Sequence, residues 1–341
     1  MGTMTKRWIG VVCALASAAA LAGGSSGAPA AADKYARRCG RQGSSRFFAQ
    51  QGPQLWGTWS GWREKDRVKP DEKKSVVVSA NLDGLAVAPD GVKALALEGG
   101  HLSSGAKGAV LRGLSSDGQP VEVAVCEEEP AEGDPQMTWY QIQAWNPVSL
   151  EWENPCIPTG DHPSPRALAL GGVWDPSGAH HEVAGKITFA CENGDLTKCV
   201  GWGYKPWEKR DGRSMADAHQ ACTRMARADY CGDGQSHTKE RTTIEYYDSL
   251  GLNARMTRAV QGWDPERASF EAAWAPDGAS CLARTRHGEP MEAVLKECPG
   301  RFKQGEADLG GGDRCAVKRA DPDALAGALR NRVNGNGAGA R

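Results

Sequence analysis

Val121-Glu122-Val123-Ala124-Val125-Cys126 and, shortly after it, Trp139-Tyr140-Gln141-Ile142-Gln143-Ala144-Trp145 decide the fold. Both runs alternate with a period of two, the spacing that sends successive side chains to opposite faces of a strand. Working outward, Ser75 to Leu82 is rich in valine, and Leu85-Ala86-Val87 and Val92 to Leu97 flank Pro89-Asp90-Gly91. That tripeptide is a turn with a mechanism, because Pro presets φ and Gly accepts a positive φ. Short strands broken by Gly and Pro predict an antiparallel sandwich or a partly open barrel for the front half, Gln54 to Phe189.

Helical spacing enters later. Ser214 followed by Asp217 resembles a capping box, and Met215, Ala218, Cys222 and Met225 then fall on one face, which predicts a helix over about 214–228. Pro290 opens a second helix in which Met291, Val294, Leu295 and Cys298 share a face, with Gly300 as its stop. Asp321-Pro322 predicts a last helix before a glycine-rich tail from Asn334. Three corners recur, Trp145-Asn146-Pro147, Trp174-Asp175-Pro176 and Trp263-Asp264-Pro265, with Trp274-Ala275-Pro276 a looser copy. In each the Trp ends a strand facing the core, and the residue before Pro is kept out of the helical region. Their spacing is irregular, so they do not show a repeat architecture.

The start of the chain reads as an export signal. Lys6 and Arg7 precede an apolar run, Trp8 to Leu21, with small-residue exits at Ala20-Leu21-Ala22 and Ala30-Ala31-Ala32, so cleavage is expected after 22 or 32. Of 11 cysteines only Cys13 lies in that segment. Cys39, Cys126, Cys156, Cys191, Cys199, Cys222, Cys231, Cys281, Cys298 and Cys315 form an even set in an oxidising space and are expected to pair. The Asn193-Gly194-Asp195 turn suggests Cys191 with Cys199 as one local bridge.

The expected mature chain, which loses Lys6 and Arg7, carries 39 basic side chains (41 − 2) against 42 acidic ones. Such a balance gives no field for a phosphate backbone, so no nucleic-acid partner is expected. Nothing beyond the signal approaches the roughly 20 apolar residues a bilayer span needs, so no stable membrane insertion is expected after its removal. Trp, at 12, outnumbers the 6 Tyr and 5 Phe together, a usage that suits core anchoring and also ligand stacking.

Ala228-Asp229-Tyr230-Cys231 follows the predicted helix and carries the four letters of the ADYC domain family. Upstream, Lys198-Cys199-Val200-Gly201-Trp202-Gly203-Tyr204-Lys205-Pro206-Trp207 resembles that family's Lys-Cys-Val and Gly-Tyr-Lys-Pro-Trp segments. Downstream, Phe270-Glu271-Ala272-Ala273-Trp274 and Cys298-Pro299-Gly300-Arg301-Phe302 stand where its closing elements belong. The likeness covers roughly 54–302. It implies a secreted bacterial protein and no catalytic residue, because the family carries no assigned activity.

The constellations that could carry chemistry are sparse. His219 and Cys222 share a helix face with Asp217 nearby, yet a thiolate nucleophile needs a free cysteine. Adjacent His180 and His181 point to opposite faces of a strand, too few ligands for zinc. Asp229, Asp233 and Asp248 offer hard oxygens, but their spacing fails a calcium loop, and turn capping is the expected role of Asp229 and Asp233. Glu127-Glu128-Glu129 before Pro130 reads as a solvated loop, and hydrolase, zincin, phosphate-loop and dinucleotide signatures are all missing.

The resulting expectation is a mainly β protein with a few short helices and a mixed, disulfide-rich second half. It divides into a signal peptide (1–32), a polar leader (33–53), a β-rich region (54–190), a cysteine-rich region (191–302) and a C-terminal helix with a disordered tail (303–341). The expected function is an exported, non-catalytic binding or cell-surface module that takes a glycan or a surface protein and needs no cofactor. The alternative is a secreted hydrolase with an unfamiliar site at His219, Asp229 and Asp233.

Overall fold

The computed structural model describes residues 31–40, 54–319 and 329–334. The expected signal segment, its exits at 22 and 32, most of the expected leader and the expected Asp321-Pro322 helix start lie outside them or at their edge.

The front half is a barrel. Its strands are β1 (Ser79–Val87), β2 (Val110–Leu114), β3 (Pro120–Pro130), β4 (Thr138–Asn146), β5 (Glu151–Glu153), β6 (Ala167–Gly171) and β7 (Lys186–Cys191). They run in the order β3-β2-β1-β7-β6-β4, all antiparallel, and a β3–β4 pairing closes the ring, with β5 appended to β4. The expected partly open barrel is therefore a closed ring of six strands. The period-two alternation explains its filling: Val121, Val123 and Val125 of β3 and Tyr140, Ile142 and Ala144 of β4 all project into one core with Ile187 and Phe189. A break in register between Val125 and Glu127 places Cys126 at a bulge, where it bonds Cys39. Glu127, Glu128 and Glu129 extend β3 as an exposed strand end, not a loop, because Gln141, Tyr140 and Trp139 of β4 pair with them.

β6 and β7 are buried on both faces, and the one polar side chain buried in them, Thr188, is bonded to the Val78 and Gly172 carbonyls. Ala167 and Ala169 enter the barrel core, while Leu168, Leu170 and Ala190 face outward onto Leu196 and Val200 of α3 (Asp195–Gly201), which follows α1 (Ala31–Ala36) and α2 (Glu64–Val68) in chain order. That second covering layer is why their sequence reads as continuous hydrophobic runs.

The second half is a six-stranded antiparallel sheet. β8 (Ile244–Asp248), β9 (Ala268–Ala275), β10 (Gly278–Leu282), β11 (Phe302–Asp308), β12 (Arg314–Arg319) and β13 (Leu329–Asn334) are ordered β8-β13-β9-β10-β12-β11. α4 (Ala216–Arg227) lies against β9, β10 and β13, and Met215, Ala218, Cys222 and Met225 meet Trp274, Leu282 and Leu329 there as one core. The expected helix at 214–228 is present, but no side-chain bond closes the capping box; Ser214 belongs to a short hairpin, and its hydroxyl accepts only the Ala216 amide. α5 (Met291–Glu297) begins just after Pro290 as expected.

The C-terminal region adds strands that the sequence did not suggest, at 302–308, 314–319 and 329–334, and β13 is interior to the sheet; the expected helix from Asp321 and the tail beyond Asn334 lie outside the described residues. Leu329, Asn331 and Val333 are its buried positions, so the alternation was present in Leu-Arg-Asn-Arg-Val-Asn but disguised by a buried amide where an apolar residue is usual. Asn331 earns its place by donating to Glu271 at 2.7 Å and accepting from Trp274 Nε1 at 2.8 Å.

All ten cysteines from Cys39 onward are paired, as Cys39–Cys126, Cys156–Cys191, Cys199–Cys222, Cys231–Cys298 and Cys281–Cys315. The local pair Cys191–Cys199 does not form. Cys191 ends β7 inside the barrel core, whereas Cys199 is carried by α3 toward α4. Part of the expected leader is docked: Tyr35 of the short helix α1 (Ala31–Ala36) donates to Glu122, and Trp152 Nε1 donates to the Lys34 carbonyl at 2.8 Å.

Each bridge should contribute about 2–4 kcal/mol. Denatured but unreduced protein lacking residues 1–32 should expose no titratable thiol, and reduced protein should melt far below the oxidised form. Thiol titration and thermal melts with and without reductant check both.

Candidate functional site

The sequence singles out the loop after α4, and its geometry follows from how that helix ends. Ala228 sits in the left-handed region at φ 52°, ψ 40°, and the amides of Ala228 and Asp229 return to the carbonyls of Met225 and Arg224 at 3.1 and 2.9 Å. This left-handed ending turns the chain sharply and aims Asp229 back across the loop.

Asp229 is wholly buried. Its Oδ1 accepts the amides of Gly232 and Asp233 at 2.8 and 3.2 Å, and its Oδ2 accepts the Gly234 amide at 3.0 Å and Arg224 Nη1 at 2.5 Å. Arg224 in turn donates from Nη1 to the Ser177 carbonyl at 2.5 Å and from Nε to the Pro276 carbonyl at 3.1 Å. One guanidinium thus holds two of the Trp-x-Pro corners, one on the barrel side and one on the sheet. The fit is close: a Cβ at Gly232, whose φ is 72°, would lie 1.9 Å from the Asp277 carbonyl oxygen.

Tyr230 is also fully buried. It donates to Glu271 Oε1 at 3.0 Å, accepts the Arg286 amide at 2.7 Å and stacks on Trp274 with centroids 5.5 Å apart. Burial and the neighbouring Glu271 carboxylate push its phenol well above the usual tyrosine range. Arg286 pairs with Glu271 at 3.1 Å and donates to the α4 carbonyls of Met225 and Ala226 at 2.7 and 2.9 Å, satisfying the helix end. Cys231 completes the loop through its bridge to Cys298 beside α5. Each residue of the tetrapeptide therefore has an internal partner: a helix ending, an ion pair, a buried polar network and a disulfide.

The remaining residues singled out by sequence separate from this loop. His219 is fully buried; its Nε2 donates to the Leu196 carbonyl at 2.9 Å, and its ring meets Trp174 edge-on at 5.6 Å. Desolvation lowers its pKa to about 4. Cys222 is bonded to Cys199, so no thiol stands beside His219. Asp233 is exposed, and its carboxylate accepts only the Gln235 amide, at 2.9 Å. Asp248 is spent on the amides of Leu250, Leu252 and Asn253 and on the Tyr204 hydroxyl. His180 stacks on Trp174 at 4.2 Å, and His181 donates to Asp175 at 2.7 Å. Among the described residues no group of three His, Cys, Asp or Glu is placed to hold a metal ion.

Sequence reasoning missed the cations. Arg224 and Arg227 are almost wholly buried, and Arg227 donates to the Gly234 carbonyl at 2.7 Å with Glu72 at 3.5 Å. Gln220, Arg224 and Arg227 recur at four and three residues, a polar stripe that ordinarily marks a solvated helix face. Here it is the face turned to the barrel-side corner, where Gln220 also accepts from Trp174 Nε1 at 2.9 Å and donates to the Gly178 carbonyl at 2.6 Å.

The sequence profile of the ADYC domain matches residues 105–288, just over half of the chain. The match begins within the barrel and ends in the sheet, so it spans the joint built by this loop. No curated protein and no solved structure matches the chain.

Removing the Asp229 charge strands Arg224 in the interior, so Asp229→Asn should cost about 3–5 kcal/mol. Asp233→Asn, at an exposed position, should stay within about 0.5 kcal/mol, and denaturant melts of the two variants check the contrast. His219 must fold neutral, so below its unfolded value near 6.5 the unfolded chain binds a proton that the folded chain refuses. Its contribution to stability is therefore complete above about pH 6.5 and falls as the pH drops toward its folded value of about 4. The difference amounts to about 3 kcal/mol. Stability measured against pH should lose that component in His219→Gln.

Proposed function

The chain belongs to the ADYC domain family, and on that premise we propose that it is an exported, disulfide-stabilised, non-catalytic binding module whose ADYC loop locks two β units together. One observation carries the reading: the loop's acid, phenol and cysteine are all committed to internal partners, and Asp229 and Tyr230 are fully buried. A catalytic group must reach its substrate within hydrogen-bond distance, and neither of these side chains faces solvent. His219, the candidate base, is equally enclosed and is held neutral by burial.

Export is supported by the same chemistry. Five bridges require an oxidising compartment to form and persist, and the basic and apolar residues 6–21 supply the address. No helix among the described residues is long and apolar enough to cross a membrane. The nearly balanced charge, 41 basic against 42 acidic side chains, favours partners other than polyanions. A glycan or a surface protein is the partner class that agrees with these features.

The hydrolase alternative gives an opposite result in a direct assay. Wild-type protein incubated with a panel of glycoside, ester and peptide substrates should show no turnover above the uncatalysed rate. Turnover that disappears in His219→Ala while the melting temperature is unchanged would sink the binding-module reading.

A further inference from the structure

Four Trp-x-Pro corners mark the chain, and in three of them the Trp is core: Trp174, Trp263 and Trp274 are 1%, 4% and 0% exposed. Trp145 is the exception. It is half-buried, and with Pro147 and Val148 it forms one wall of a cleft of about 750 Å³. The rest of the lining comes mainly from the 60–76 segment with Trp62 and from the β2–β3 hairpin, Ser115 to Glu122. Two turns between barrel strands and the segment that precedes β1 thus line one concavity, the kind of place in which ligand sites are commonly presented.

Both indoles are held in place before any ligand arrives. Trp145 lies opposite Trp152 in the β4–β5 ladder, with ring centroids 5.7 Å apart, and Lys34 Nζ sits 4.6 Å from its centroid. Trp62 packs against the barrel core, with the Arg67 guanidinium 5.9 Å from its ring. Fixed rings lose little freedom on binding.

The charges around the cleft decide the ligand class. Lys34 pairs with Glu122 at 2.5 Å and Lys74 with Asp71 at 3.5 Å. The other charged residues of the lining are Arg63 and Lys69 against Asp66 and Asp117, so the wall is balanced. A balanced wall offers no net attraction to a phosphate or sulfate polymer. Two indoles that share one lining with carboxylates, serine hydroxyls and the Gln119 amide match a ligand with apolar C–H faces and many hydroxyl groups. Four of the six exposed large aliphatic side chains among the described residues, Val68, Leu114, Val148 and Leu150, lie on or beside these same segments in the chain.

We propose that this cleft binds an uncharged oligosaccharide, with Trp62 and Trp145 as stacking platforms and the carboxylates of Asp66 and Asp117 as hydroxyl acceptors. The inference rests on the binding-module reading and assigns that module its site.

The test is calorimetric and fluorescence titration of the full exported chain with cellohexaose, chitohexaose and maltohexaose, and with a heparin hexasaccharide as the polyanionic control. At least one neutral hexasaccharide should bind with a Kd below about 1 mM and shift the Trp emission, while the heparin fragment should not. Trp62→Ala and Asp117→Ala should each weaken that binding about tenfold, the factor that about 1.4 kcal/mol represents. Asp117 is exposed on a hairpin tip, so its variant keeps the test decisive if Trp62→Ala folds poorly. Failure of all three neutral sugars to bind, or preference for heparin, would overturn the ligand class. Binding that both variants retain in full would overturn the site and leave the binding-module reading standing, whereas turnover of a bound sugar would overturn that reading itself.

Discussion

The Arg224–Asp229 ion pair is the contact on which the arrangement of the two halves depends. Both partners are almost wholly removed from water, at 3% and 0% side-chain exposure, so neither charge is tolerable without the other. Three loop amides complete the shell of the carboxylate, and two carbonyls from opposite halves complete that of the guanidinium. The pair can be satisfied only when the 174–178 corner, the 274–278 corner and the end of α4 are all in place. Its satisfaction is therefore a readout of correct assembly, and a mispacked joint would leave a buried charge without its bonds. Hydrophobic contact alone would tolerate several ways of laying a helix between a barrel and a sheet. The polar requirement selects among them.

The disulfides act within that frame. Cys156–Cys191 closes on itself within the barrel, and Cys281–Cys315 within the sheet. Cys199–Cys222 is the covalent tie between α3, which rests on the barrel, and α4, which rests on the sheet. Cys231–Cys298 then fixes the loop that carries Asp229. Covalent restraint and ion pair thus meet on the same helix within a few residues, and the covalent ties limit how far the joint can open when its polar contacts fluctuate. The buried polar network of Tyr230, Glu271, Arg286 and Asn331 extends this logic one layer deeper. Every member has at least one partner there, as a low-dielectric interior demands.

The sequence made legible the features whose signal is local. Alternation in 121–126 and 139–145, the Pro89-Asp90-Gly91 turn and the apolar stripe of α4 each depend on neighbours in the chain, and each found its counterpart. What failed to show was set by distant partners. Barrel closure rests on the β3–β4 and β4–β6 pairings together, the latter a single residue pair, Tyr140 with Ala167. β13 was hidden because Arg330 and Arg332 find their acids, Asp313 and Glu245, on other strands or loops. The stripe of Gln220, Arg224 and Arg227 looks solvated in any helix considered alone. Asp233 and Asp229 stand four residues apart with identical side chains, yet only the reverse turn at Ala228 buries one and exposes the other. Trp62, which lines the cleft, carried no signal beyond composition, since the loop that presents it is irregular.

A motif consumed by its own fold separates two properties that are often read as one. The side chains of Asp229, Tyr230 and Cys231 are spent on the joint, and for the same reason they stand away from any surface that a ligand could reach. In the proposed binding module, choice of ligand falls to positions whose side chains can vary without breaking the joint, on hairpin tips and on the segment that precedes β1. The half-buried Trp145 fits that division. It keeps the Trp-x-Pro corner whose other three indoles are buried, but its own indole is half-buried and lines the cleft, so a change of residue there disturbs less of the core.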